Sequence, residues 1–416
     1  MSGFEAKREL TTDSIMTTYD REVIPSLINA INVLGSNFIL NSDENSRIRL
    51  MRKARALFMA LETPRETLIR HSWTEPSLQC VLTAGTEKGV WAYLGSQNDP
   101  FKASDVGKAV GIDPPLLSRF MRHLAAMGYL KEIAADTYER NTFIKAMATP
   151  YIGQGYPMLS EVWAAAGNRF HLFADSINWQ TPGDSQNGSF QFVHKTKLDL
   201  FEYMQNSPHG KRFHYYMAAC NLGRPHWLDP GFYPIERLLN GFNQAEDSVL
   251  LVDVGGSVGN ELQALIQRYP EVPGRLILED LPEVIDQIHD LDKRIEPIAH
   301  NFNDEQPIKS ARAYYLRSIL HDWPYAVCLK ILSKITAAMK VGYSKLLIVD
   351  HVVPSIKAHE EVTGLDITML YLFSSLERDL GQWETLLSEV GLGIVKVFHN
   401  SNNPNAQNVI ECERVK

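Results

Sequence analysis

The sequence predicts an α/β protein in its C-terminal part, with a largely parallel sheet between helices. A mainly helical N-terminal region containing a winged helix comes first. Two observations carry the α/β assignment. Ser248-Val-Leu-Leu-Val-Asp-Val254 is an apolar, β-branched run that enters the turn Gly255-Gly-Ser-Val-Gly259 and then helical apolar spacing from Asn260 to Tyr269. A second strand, Arg275-Leu-Ile-Leu278, ends in Glu279-Asp280, and a third, Ala313 to Leu320, runs into His321. The winged helix rests on a helix-turn-helix pattern, Lys102 to Gly111 and Asp113 to Leu124, followed by a short ribbon at Tyr129-Leu130 and Tyr138-Glu139.

With 416 residues, 44% hydrophobic and 22% charged, the chain is long enough for two cores and has an ordinary globular composition. A net charge of −8 implies no basic face and argues against a nucleic-acid partner. The predicted recognition helix agrees: its Arg119, Arg122 and His123 sit among Leu116, Leu117, Phe120, Met121 and Leu124, too apolar a face for groove reading. Cys80, Cys220, Cys328 and Cys412 are scattered without metal-ligand spacing, which predicts reduced thiols, a cytoplasmic location and no metal. The first residues lack the apolar core of a signal peptide, and no run of about eighteen apolar residues occurs, so no membrane association is expected.

In chain order, residues 1–61 read as a helical segment, with apolar spacing at Ile24, Leu27, Ile28, Ile31 and Leu34. It fits either a cap on the chain's own body or a dimerisation arm. Residues 62–150 hold the winged helix and open on Thr63-Pro64, an N-cap with proline in the first turn, before two apolar-faced helices between Ile69 and Leu94. Residues 151–235 are dense in aromatics and methionine. Most of these should be core, while Trp163, Phe173, Met217 and the polar Asn221 are candidates for lining a flat apolar substrate pocket. Residues 236–416 hold the α/β sheet. There Lys345 to Asp350 reads as a buried strand, Gly364 to Phe373 as a helix turning Met369 and Phe373 to the site, and Trp383 to Val390 as a helix. Val395 to Phe398 and Asn408 to Glu411 form a closing hairpin with a polar tip at Ser401 to Asn405, and the final strand is antiparallel.

The glycine turn carries the chemistry. Residues without Cβ let the backbone turn sharply and let a cofactor approach the strand end, beside Asp253. Asp280, about twenty residues on, stands where a ribose hydroxyl pair is bound. Dinucleotides and S-adenosylmethionine both fit such a site. The spacing Gly255, Gly256, Gly259 departs from Gly-x-Gly-x-x-Gly, which weakens the pyrophosphate reading and favours the methyl donor. His321 lies at the carboxyl end of the sheet, and a neutral imidazole with a pKa near 6.5 suits proton removal at physiological pH.

Leu251-Val-Asp-Val-Gly-Gly256, Glu279-Asp-Leu-Pro-Glu-Val-Ile285, Ala313-Tyr-Tyr-Leu-Arg-Ser-Ile-Leu-His-Asp-Trp-Pro324, and Glu377-Arg-Asp with Trp383 resemble the successive motifs of the plant-type O-methyltransferases, in their fungal secondary-metabolism branch. The resemblance extends from about Ala60 onward. It implies a Rossmann-like methyltransferase domain behind a winged-helix dimerisation domain, a homodimer joined through the N-terminal arm, and S-adenosylmethionine as donor with S-adenosylhomocysteine as product. It implies His321 as base, with Asp350 and Glu377 as its orienting acids, and Gly255, Gly256, Asp253, Asp280, Asn301, Phe302 and Arg317 around the cofactor. Asp322 would face the acceptor. Two positions depart from the family pattern: Asp350 replaces a longer glutamate, and Asn301 replaces an aspartate that accepts from the adenine amine. The implied activity is methylation of a phenol or enol of a small aromatic or polyketide-type natural product. The alternative is a pericyclase or dehydratase on the same fold, since fold does not settle function.

Overall fold

The computed structural model describes residues 12–245, 247–400, 403 and 406–415. They group into two compact units: residues up to Ser160 together with Lys211–Ala219, and Glu161–Gly210 together with the chain from Cys220 onward.

In the first unit, helices Ile24–Asn41 and Glu44–Leu61 form an antiparallel hairpin whose turn is closed by Asp43, which accepts from the Ser46 amide at 2.8 Å. Only Leu34, Ile48 and Ala60 of these helices are buried, whereas Val33, Ile39, Leu40 and Phe58 are more than half exposed. Thr63 caps the next helix, Pro64–Ile69, in a reciprocal box with Glu66, as the Thr-Pro sequence predicts. The winged helix is present: helices Ala103–Val110 and Pro114–Ala126, then the antiparallel ribbon β2 (Leu130–Ala134) and β3 (Thr137–Arg140), with β1 (Phe101–Lys102) beside β3. Leu117, Met121 and Leu124 of the second helix pack with Trp91 and Tyr138 into the core, leaving Arg119 and Arg122 outside. Leu116, expected on the buried face, is exposed instead.

The second unit is built on a seven-stranded sheet. Its strands are β4 (Val249–Val254), β5 (Arg275–Asp280), β6 (Ile295–Ala299), β7 (Ala313–Arg317), β8 (Lys345–Asp350), β11 (Leu392–Phe398) and β12 (Asn408–Arg414), in the order β11-β12-β8-β7-β4-β5-β6. A separate short parallel pair joins β9 (Val352–Val353) to β10 (Arg378–Asp379). β4 to β8 run parallel, and β12 enters antiparallel between β8 and β11. Strand alternation sends Tyr314, Leu316, Leu346 and Ile348 to one face, against helices Tyr325–Ala338 and Leu380–Glu389. Tyr315, Leu347 and Val349 go to the other, against helix Asn260–Arg268. Each such side chain contributes roughly 1.5–3 kcal/mol on burial, which fixes the register. β12 is further tied by Glu411, fully buried yet accepting from Arg237 Nε at 2.8 Å and Lys345 Nζ at 2.7 Å. β6 was not legible because Pro297 interrupts it, and it lies at the sheet edge, where proline is tolerated. The expected hairpin tip at Ser401 to Asn405 falls, apart from Asn403, outside the described residues. Among the described residues no helix is long and apolar enough to cross a membrane.

Candidate active site

The parallel strands all end at one edge, and the order reverses between β4 and β7, the place where open α/β sheets form a crevice. At the end of β4, Gly255 and Gly256 donate their amides to the carbonyl of Glu279 at 2.8 and 3.1 Å, folding the turn onto the neighbouring strand. Gly255 has φ +72°, and a Cβ there would lie 2.7 Å from Ile319 Cδ1; at Gly256 it would lie 2.5 Å from the carboxyl carbon of Asp253. Side chains are thus excluded from the turn. Asp280 orders the same turn, accepting from the Ser257 amide at 2.7 Å and from Leu281 at 2.8 Å. Asp253 is buried, and its Oδ2 has no protein partner. Burial, followed by the charges of Glu261 and Asp280, holds its pKa well above the usual carboxylate range.

Two residues expected around the cofactor have protein partners of their own. Arg317 is ion-paired with Glu261, which also accepts from Tyr315 Oη at 3.0 Å and lies 2.9 Å from His226 Nε2. The guanidinium is therefore oriented by a protein carboxylate. Asn301 Oδ1 accepts from the amide and the side chain of Asn303, both at 3.0 Å, so its carbonyl already closes a turn.

Four residues beyond β7, the 3₁₀ turn Leu320–Asp322 carries His321. Its Nδ1 lies 2.6 Å from Glu377 Oε1, and its Nε2 lies 3.5 Å from Asp322 Oδ1. Asp350, at the end of β8, is fully buried, and neither of its oxygens has a hydrogen bond. It acts on the ring only through its charge. The aspartate arm is one methylene shorter than the glutamate of the family pattern, so only Glu377 orients the ring. Glu377 is in turn placed by Asp366 of helix Glu360–Phe373, whose Oδ1 accepts the Glu377 amide at 2.9 Å.

The charge state of His321 also differs from a free imidazole. Burial pushes its pKa down, but Asp322, the hydrogen bond to Glu377 and the charge of Asp350 outweigh this and raise it to about 10. Burial raises Asp322 to about 6 and Asp350 to about 7. Burial also acts upward on Glu377, but the hydrogen bond from His321 wins and holds it below its usual value. These carboxylates favour the protonated ring over the neutral one.

Beside it stands a row of half-buried aromatic rings. Phe302 meets Trp323 edge-on at 5.8 Å, Trp323 lies 6.3 Å from Phe201, and Phe201 lies 5.5 Å from Phe373. Met369, on the same helix as Phe373, is buried. Phe173 is buried between Phe170 and Phe192, 6.3 and 6.0 Å away, and Trp163 is buried as well. Met217 belongs to the first unit and is 40% exposed, and Asn221, at the end of its helix, is exposed.

Residues 234–393 match the family model of the O-methyltransferase domain. The O-methyltransferase mpaG' of Penicillium brevicompactum is 31% identical over 378 residues, which cover 90% of this chain and 94% of that protein. The chain belongs to the O-methyltransferase family. Two solved structures share its fold over nearly the full length of both chains. A pericyclic reaction enzyme superposes with a TM-score of 0.82 and 26% identity over 95% of this chain and all of that one. OxaC, in complex with S-adenosylhomocysteine and oxaline, superposes with a TM-score of 0.80 and 25% identity over the same shares.

The methyl donor of this O-methyltransferase is S-adenosylmethionine. The glycine turn fits it: its glycines let the backbone fold tightly where a Cβ would meet Ile319 or Asp253, Asp280 orders the turn, and the unpartnered Asp253 oxygen can receive a donor group. Glu261, Asp366 and Phe201 were not singled out from the sequence. Glu261 and Asp366 sit on helices whose facing side depends on tertiary packing, and Phe201 was one of many aromatics in its segment.

Proposed function

We propose that this enzyme methylates a phenolic or enolic hydroxyl of a small aromatic or polyketide-type natural product, with His321 as the group that takes the hydroxyl proton. The observation that carries it is the hold on His321: Glu377 lies 2.6 Å from Nδ1, which leaves Nε2, 3.5 Å from Asp322 Oδ1, as the ring nitrogen for the acceptor's proton. S-adenosylmethionine supplies an electrophilic methyl group on a sulfonium. Phe302, Trp323, Phe201 and Phe373 offer a flat apolar wall for a planar acceptor, which holds its hydroxyl at near-attack distance and excludes water. Nε2 accepts the proton, Glu377 stabilises the resulting imidazolium, and Asp322 adds a second negative charge at the same edge. Because the free ring keeps its proton until the alkaline range, turnover rises with pH up to about 10.

Mass analysis after incubation with isotopically labelled S-adenosylmethionine and a panel of phenols and enolic polyketides tests the proposal. Transfer of label to oxygen that is abolished in His321→Asn is expected; full transfer by that variant would remove His321 from its role. The likeness to a pericyclic reaction enzyme supports a second reading, in which the apolar wall steers a cyclisation. Donor binding without label transfer, together with isomerisation of an unsaturated substrate, would favour it.

The residues expected to form a dimerisation arm, 1–61, support assembly with a second copy: Val33, Ile39, Leu40 and Phe58 present an apolar face on the hairpin. The free thiols of all four cysteines fit a cytoplasmic location.

A further inference from the structure

Arg378 follows Glu377 directly and is almost wholly buried, at 1% exposure. Its Nη1 donates to the carbonyl of Leu320 at 2.9 Å and its Nη2 to the carbonyl of Trp323 at 3.2 Å, the residues that flank His321 and Asp322. Nη2 also lies 3.3 Å from Cys328 Sγ, and the guanidinium sits 5.2 Å over the ring of Trp383. Ser375 Oγ adds a 2.7 Å bond to the same Trp323 carbonyl. Arg378 makes no ion pair among the described residues, and its Nε is buried without a partner. A buried, unpaired cation is costly, so packing alone is a poor account of it.

We propose that Arg378 is a positioning residue for methyl transfer, gripping both ends of the turn that carries His321 while Glu377 grips the imidazole itself. This rests on the proposal that His321 takes the acceptor's proton. The planar fork of a guanidinium spans two carbonyls at once, which an ammonium cannot do. One dipeptide, anchored on β10 by its pairing with β9, therefore sets both the backbone under the ring and the ring's own direction. With both held, Nε2 keeps its aim as the proton arrives and leaves.

Proton exchange at His321 Nδ1, read by NMR on uniformly ¹⁵N-labelled chain, tests this without any acceptor. In the unaltered protein this proton is slow to exchange. In Arg378→Met its exchange quickens by roughly tenfold or more, while the ladder amides of β4 and β5 in the same unit keep their rates. Equal quickening in those strands marks general destabilisation and overturns the proposal, as does an unchanged rate at His321. Should Arg378→Met fail to fold, Arg378→Lys retains the charge but reaches one carbonyl, and the same selective quickening is expected; an unchanged rate there overturns it. Full activity in His321→Asn would sink the base assignment while leaving the exchange result standing, so the two failures are distinguishable.

Discussion

Replacing Glu377 with Gln removes the negative charge from the 2.6 Å contact at His321 Nδ1 and changes little else in volume. A hydrogen bond to a charged group contributes about 1.5–3 kcal/mol and a neutral one about 0.5–1.5 kcal/mol, so the imidazolium loses about 1–2 kcal/mol of support. At about 1.4 kcal/mol per pKa unit, the ring's pKa falls by roughly one unit from its value of about 10. A base works when unprotonated, so the rising limb of rate against pH moves to lower pH by the same amount. The plateau falls as well, by roughly ten- to a hundredfold, because a Gln amide can donate to Nδ1 and lock the tautomer with its proton on Nε2. Initial rates of label transfer across the pH range, beside an NMR titration of the ring, measure both shifts. A limb and plateau that stay in place would refute the claim that Glu377 governs the charge and direction of His321.

Further outcomes follow from the same geometry. Asp350 has a folded pKa of about 7 against an ordinary value near 4, and a raised acid pKa gives stability that is present at low pH and lost as pH rises through that value. Ionised Asp350 therefore costs up to about 4 kcal/mol above pH 7. Asp350→Asn should stabilise by about 1–2 kcal/mol in denaturant titrations at pH 8.5 and not at pH 5; equal effects at both would contradict the assignment. In Gly256→Ala the new methyl meets Asp253 and Leu278, so calorimetry should show S-adenosylhomocysteine affinity reduced by tenfold or more, with a stability loss of roughly 1–3 kcal/mol. Native affinity there would mean that the turn does not approach the ligand. Ile39→Asp with Leu40→Asp alters side chains that are 79% and 80% exposed, so a single copy should keep its stability. Sedimentation should then show a dimer becoming a monomer, and an unaltered mass would remove the arm from the interface.

The sheet was legible because its central strands are continuous apolar runs that end in glycine or acid, and the fold places Gly255, Asp280 and His321 at the same edge. The state of His321 was not legible. Its three carboxylates come from positions 322, 350 and 377, and only tertiary closure sets which of them reaches the ring and which merely adds charge. Arg317 shows the same limit: its ion-pair partner, Glu261, lies more than fifty residues away in the chain. Arg378 left a trace only as the neighbour of Glu377 in a quoted motif, since nothing local announces that its partners are two carbonyls of a distant turn.

The placement of β12 between β8 and β11 bears on how the molecule is made. β11 meets the sheet only through β12, so the earlier strand stays unzipped until the later one slots in beside β8. Until then β8 offers a raw edge to any passing strand, and Glu411 is not yet there to neutralise Arg237 and Lys345. Biogenesis is thus most vulnerable in that interval, and chaperone demand should concentrate there.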